Sequence, residues 1–119
     1  MLYYAKQFID DDDINEVVQV LKSNSITQGP KLIEFEELVS SKVKVKYSVA
    51  VNSATSALHL ACLALGLKKG DYLWTSSISF VASANCALYC QASIDFVDID
   101  INTGLMSMQL LEEKLKLAK

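Results

Sequence analysis

From Tyr47 onward, three short β-type runs alternate with apolar stretches of helical period. A strand followed by a helix and then by another strand in the same direction builds a parallel sheet with helices packed over it. The runs are residues 47–51, 72–75 and 94–99. Residues 57–65 and 80–89 supply the intervening helices, and Met108, Leu111 and Leu115 mark a last one. Gly66 stands where a left-handed residue ends a helix. Residues 68–71 and 102–104 read as turns. The expectation for residues 46–119 is therefore an α/β unit of βαβαβα order, a mostly parallel sheet with helical crossovers.

Residues 1–45 read differently, as a helical segment. Ile14, Val17, Val18 and Leu21 fall on one helical stripe, with the acids Asp10, Asp11, Asp12 and Asp13 at its N-terminal end. Acids there complement the helix dipole, and the run lacks the glycine and closing glutamate that a metal loop needs. Gly29-Pro30 punctuates the chain, and proline suits the first helical position. Leu32, Phe35, Leu38 and Val39 mark the second helix, and Glu34, Glu36 and Glu37 are expected on its wet side.

Composition narrows the function classes. The formal charge is 11 − 14 = −3, without the basic stripe of a nucleic-acid binder. Apolar residues make up 51% of the chain, too many for disorder. No uncharged apolar run approaches the ~18 residues of a membrane span. No secretory signal is evident at the start. Cys62, Cys86 and Cys90 lie in apolar helical patterns, His59 is the single histidine, and no CxxC pair occurs. No metal site is expected, and a reducing, cytoplasmic location fits best.

In open α/β sheets, ligands bind beyond the carboxyl ends of the strands. Three such junctions stand out. In Asn52-Ser53-Ala54-Thr55-Ser56, small residues permit close backbone approach, and the hydroxyls of Thr55 and Ser56 join the free amides of a helix start. That is the chemistry of a phosphate site, and equally of an ordinary N-cap. Phe80 follows the second strand, either as core or as an aromatic lying over a flat ring. Asp98 and Asp100 follow the third, either as catalytic acids or as turn caps. His59 reads as a satisfied, half-buried histidine rather than a base.

Taken in order, Thr27-Gln28-Gly29, Phe35-Glu36, "NSATSALHLA" (52–61), Gly70-Asp71, "FVASAN" (80–85) and "FVDID" (96–100) resemble the N-terminal portion of the DegT/DnrJ sugar-nucleotide aminotransferases. These are pyridoxal phosphate enzymes of fold type I, and the likeness covers nearly the whole chain. Within the family, the chain looks most like the branch serving pseudaminic acid biosynthesis. The resemblance implies the N-terminal part of the large cofactor-binding domain. It also implies transfer of an amino group from glutamate to the 4-keto position of a UDP-linked 6-deoxy sugar, in a homodimer. Carried over residue by residue, Thr55 and Ser56 match the positions that hold the cofactor phosphate, and Phe80 matches the ring that stacks on the pyridine. Ala54 matches a position near both cofactor and sugar. Tyr4, Asn24, Ser25, Ile26 and Thr27 match positions that contact the nucleotide sugar. The chain departs from the family's usual pattern at Ser77, where proline is common, at Gln91, where glycine is common, and at Ala54, where glycine is common outside this branch.

Family members run to roughly three times this length, as a two-domain chain would. The resemblance places the Schiff-base lysine, and the acid that pairs with the pyridine nitrogen, beyond residue 119. The expectation is a fragment with no catalytic residue of its own, inactive and poorly soluble or self-associating. Two alternatives remain: a non-enzymatic α/β interaction module, and a pyridoxamine phosphate-dependent sugar dehydratase of the same family.

Overall fold

The computed structural model describes residues 5–118, so Tyr4 lies outside the described residues. The chain divides after Ala50 into two compact units.

The first unit contains α1 (Asp11–Lys22) and α2 (Pro30–Val43). The acidic run starts α1 as expected. Asp10 is the N-cap, its carboxylate accepting the amides of Asp12 and Asp13, while the Asp13 carboxylate accepts the Asp10 amide. A cap of this kind stabilises a helix by about 1 kcal/mol. Between the helices, Gln28 has φ +50° and Gly29 caps α2 with Pro30 at its first turn. A Cβ at Gly29 would sit 2.8 Å from the Ser25 carbonyl oxygen, so only glycine lets the turn close this tightly. Lys31 on α2 reaches both Glu16 on α1, at 2.8 Å, and Glu34, at 2.9 Å.

The run at 47–51, expected as the first strand, has no ladder partner among the described residues. Its polar groups go to α2 instead. The Ser48 hydroxyl donates to the Glu36 carbonyl at 2.6 Å, and the Glu36 carboxylate accepts the Ala50 amide at 2.8 Å. Glu36 is accordingly half-buried, not on the wet face.

The second unit runs α3 (Ala54–Ala64), β1 (Tyr72–Ser76), α4 (Ala82–Tyr89), β2 (Ser93–Val97) and α5 (Met108–Leu117). The strands pair in parallel, Tyr72 opposite Ser93 through Ser76 opposite Val97. The parallel sheet with helical crossovers is thus present, as αβαβα rather than βαβαβα. Gly66, at φ +81°, ends α3 as expected, with the Leu67 amide closing back on the Cys62 carbonyl.

The core of this unit is built from small side chains. Ala82, Cys86, Ala87, Cys90, Ala92, Cys62 and Val97 are its buried members, and Leu67 and Leu73 pack on the three cysteines. Loss of hydration, followed by the hydrogen bond to Cys86, pushes the Cys62 thiol up to about 11. All three cysteines are free thiols, serving as packing groups. On α5, Lys114 pairs with Asp95 of β2, which also accepts the Trp74 indole N–H at 3.2 Å and its neighbour Phe96's amide at 2.8 Å.

Two outcomes follow from this packing. The Lys114 ammonium, then the Phe96 amide and the Trp74 indole, hold the Asp95 carboxyl below its ordinary value of 3.8. A carboxyl lowered in the folded state stabilises the fold above its ordinary value, and that contribution fades as acid protonates it. In Lys114→Met, the Asp95 midpoint followed by carbon NMR moves up toward 3.8, and acid unfolding begins at higher pH. Separately, Gln91 sits at φ +60° after α4, a left-handed conformation that costs a side-chain-bearing residue about 1–2 kcal/mol. Gln91→Gly is expected to stabilise the unit by up to about 1 kcal/mol in denaturant titration, less than the full strain because glycine also gains unfolded-state freedom. Gln91→Ala gains nothing.

Candidate functional site

The start of α3 is a small-residue turn wired to itself. Ser53 is extended, and its hydroxyl oxygen accepts the Ser56 amide at 3.2 Å. The Ser56 hydroxyl donates to the Asn52 side-chain oxygen at 2.8 Å and lies 3.0 Å from the Ser53 hydroxyl. The N-cap reading of this turn is therefore realised. Asn52 is the member of the group that sequence reasoning left without a role, although an asparagine four residues before Ser56 is the signal for it.

The cap does not exhaust the donors. Among the described residues, nothing accepts the amides of Ala54 and Thr55. Ala54 is exposed and carries only a methyl group, while Thr55 is half-buried beside it. Two amides without a protein acceptor at the positive end of an 11-residue helix, next to a hydroxyl, offer donors of the kind a phosphate monoester takes. No lysine or arginine lies between Tyr47 and Leu67, so what the turn's own residues offer an anion is backbone dipoles and hydroxyls.

Phe80 stands past the carboxyl end of β1, in the connection to α4. Phe80 is 75% exposed and is not part of the core formed by the described residues. It borders an open cleft of about 210 Å³ that includes Thr75, Ser76, Ser79, Ser83 and Phe96. Helices α3 and α4, which follow the two candidate segments, pack on each other through the cysteine cluster and through His59, whose ring lies 5.2 Å from that of Tyr89. His59 is half-buried as expected, with Tyr89 as its aromatic neighbour.

The acids beyond β2 turn out to be structural. Asp100 accepts the amides of Asn102 and Thr103, at 2.8 and 3.1 Å, and so caps a turn. Asp98 accepts the Ile99 amide at 2.8 Å and the Ser77 hydroxyl at 3.1 Å. This second bond joins residues 21 apart, and no local pattern announces it.

In the first unit, Asn24, Ser25, Ile26 and Thr27 form the exposed turn between α1 and α2. The Ser23 hydroxyl braces it, donating to the Val20 carbonyl at 2.7 Å and accepting the Ser25 amide at 3.2 Å. Ser25 and Ile26 line a largely apolar cavity of about 420 Å³ with Val20, Pro30 and Leu32. Among the described residues, no cluster of histidine, cysteine and acid side chains is arranged to hold a metal ion, and no helix is long and apolar enough to cross a membrane.

Known proteins share this arrangement. The UDP-4-amino-4,6-dideoxy-N-acetyl-beta-L-altrosamine transaminase of Campylobacter jejuni is 43% identical over 115 residues, covering 97% of this chain and 30% of the relative. The structure of Spr1654 from Streptococcus pneumoniae in its PLP form superposes with a TM-score of 0.90 at 33% identity, over 94% of this chain and 29% of that one. Helicobacter pylori PseC, an aminotransferase involved in the biosynthesis of pseudoaminic acid, gives 0.86 at 34% identity, over 93% and 30%. The chain thus spans about a third of the length of the proteins it matches. Pyridoxal phosphate is the cofactor of these enzymes, seen as the PLP and PMP forms of Spr1654. The DegT/DnrJ/EryC1/StrS aminotransferase family model matches residues 7–118, and the chain belongs to that family, with the fold of the fold-type-I sugar aminotransferases.

Proposed function

We propose that this chain forms the phosphate cradle and one ring-facing wall of a pyridoxal phosphate-dependent transaminase. The enzyme would move an amino group from glutamate to the 4-keto position of a UDP-linked 6-deoxy sugar, in the cytoplasm, as a step of pseudaminic acid biosynthesis. The observation that carries this reading is the start of α3: two amides without a protein acceptor, at Ala54 and Thr55, beside hydroxyls on a helix that belongs to this family. The likeness to the altrosamine transaminase supports the sugar, and the likeness to PseC supports the pathway.

The residues divide the work by chemistry. Thr55 and Ser56 bind phosphate oxygens through their hydroxyls, with the amides of Ala54 and Thr55 beside them. Ser56 can release Asn52 for this at little cost, since one hydrogen bond replaces another. The exposed ring of Phe80 stacks on the flat heteroaromatic ring and shields one face from water. Ala54 leaves room for cofactor and sugar to approach. The turn at Asn24, Ser25, Ile26 and Thr27, with Tyr4, contacts the nucleotide sugar. Pyridoxal phosphate, when bound, supplies the electron sink of amino transfer, and the covalent anchor for it belongs to a part of the family's fold outside these 119 residues. We therefore propose that the chain alone binds the phosphorylated ring but does not turn over. The full-length family member is read as a homodimer.

Pyridoxamine 5′-phosphate, which cannot condense with surface lysines, is the appropriate probe for the 119-residue chain. Saturable binding by calorimetry is expected, weakened about tenfold or more in Thr55→Ala/Ser56→Ala, the loss appropriate to hydrogen bonds made to a charged group. No amino transfer from glutamate to a UDP-4-keto sugar is expected under the same conditions. Absence of saturable binding would remove the cradle, and measurable turnover would remove the claim that the chain is inactive by itself.

A further inference from the structure

Ser77 and Asp98 have a placement that neither strand pairing nor phosphate binding requires. The ladder continues one residue past β1, because the Ser77 amide donates to the Val97 carbonyl at 3.1 Å. The Ser77 hydroxyl then donates to Asp98 at 3.1 Å, and the same carboxylate oxygen accepts the Ile99 amide at 2.8 Å. One oxygen therefore spans the carboxyl ends of both strands. Both side chains are exposed, so each bond adds only a modest net stabilisation of the fold.

What the bridge does fix is direction. Only Ile78 and Ser79 separate Ser77 from Phe80. The far end of this segment is held to α4: the Ser79 and Ser83 hydroxyls lie 2.9 Å apart, and the Ser83 amide donates to the Phe80 carbonyl at 2.9 Å. The Ile78 amide donates to the Ser76 hydroxyl at 3.3 Å between them. A residue that is 75% exposed gains little orientation from packing, so its position must come from its backbone. That backbone is pinned at one end by α4 and at the other by Ser77.

We propose that Ser77 and Asp98 are positioning residues for Phe80: their hydroxyl–carboxylate bond clamps the strand ends and holds the aromatic ring where it can stack on a flat, phosphorylated heteroaromatic ligand. This rests on the reading of Phe80 given above and adds the device that aims it. It also gives Ser77 a role that a residue without a hydroxyl, or without an amide hydrogen, would not fill.

The test compares two probes on the 119-residue chain, pyridoxamine 5′-phosphate and inorganic phosphate, by calorimetry. In Ser77→Ala and in Asp98→Ala, affinity for pyridoxamine 5′-phosphate should fall about fivefold, within the range expected for one stacked aromatic pair. Affinity for inorganic phosphate should not change, because Thr55 and Ser56 are untouched. Ser77→Thr and Asp98→Asn, which keep the hydroxyl and the acceptor, should restore ring binding. Equal loss of both probes would mean that the bridge merely supports the fold, and no loss of either would mean that it does not aim the ring; both results overturn the proposal. If the unaltered chain binds the two probes equally well, the reading of Phe80 itself fails and the proposal falls with it. Loss of ring preference in Phe80→Ala together with unchanged Ser77→Ala would sink the positioning role alone.

Discussion

Small side chains where α4 meets α3 and the sheet are the constraint on which the second unit depends. Ala87 and Val97 are fully buried, and Ala82, Ala92, Cys86 and Cys90 are nearly so. Interiors pack as densely as organic crystals, so a layer made of alanine and cysteine brings backbones close together and leaves no room for anything larger. Additional methylene groups at such a position would cost about 1–3 kcal/mol through displaced neighbours. The larger apolar groups of the same region, Phe80, Leu88 and Phe96, are consequently pushed to the outside. A close-packed β1–α4–β2 crossover is also a stiff one. The short connection from Ser76 to Phe80 is held at its ends by hydrogen bonds to Asp98 and to Ser83 on α4. Cys62 shares in this by packing: its thiol, pushed up to about 11 by burial, is protonated at neutral pH.

The residues of the candidate cradle carry no formal charge of their own. Every one of the 11 basic residues is a lysine, and none falls between Tyr47 and Leu67. What an anion would meet at α3 is the partial positive charge of unpaired amides, typically worth about 0.3–1 kcal/mol at an exposed helix end. Hydroxyl donors add to this, but the sum is small beside a bidentate arginine. On these terms a phosphate alone would be held weakly; in the reading proposed above, the stacking of Phe80 would be what favours a phosphorylated ring over free phosphate.

The parts of this fold that were legible in the sequence are those governed by neighbours along the chain. Asp10 capping α1, Gly29-Pro30 opening α2 and Gly66 closing α3 are local backbone chemistry, readable from two or three residues. The two paired strands and the helix after each were legible from apolar pattern. The run at 47–51 was read as a strand because its composition is β-like, but a strand exists only where a partner completes the ladder. Here Glu36 completes part of the hydrogen bonding, and a glutamate 14 residues upstream gives no periodic signal. The Ser77–Asp98 bridge was illegible for the same reason. At the candidate site, the donors of the Ala54–Ser56 turn were readable from residue type, and the resemblance suggested the ligand. The self-wiring through Asn52 needed coordinates, because a cap and an anion site use the same residues.

The exposed apolar groups complete this argument. Along 47–51 the side chains alternate, Ser48 and Ala50 half-buried against α2 while Tyr47 and Val49 are 75 and 76% exposed. Alternation of this kind belongs to a strand with one covered face, yet here the small polar side is covered and the large apolar side is bare. On α1 the stripe of Ile14, Val17 and Leu21 is likewise more than half exposed. Sequence patterning specifies a face that wants cover, and among the described residues nothing covers these two faces. That distinction accounts for a chain that superposes closely on sugar aminotransferases more than three times its length while burying few large side chains. The geometry of the turns, caps and crossover is set within these residues by short hydrogen bonds and small-residue packing, whereas the apolar surface needed for full stability is present but only partly used. A site assembled from turns and caps takes its local shape from hydrogen bonds among its own residues, as Asn52, Ser53 and Ser56 do at the start of α3.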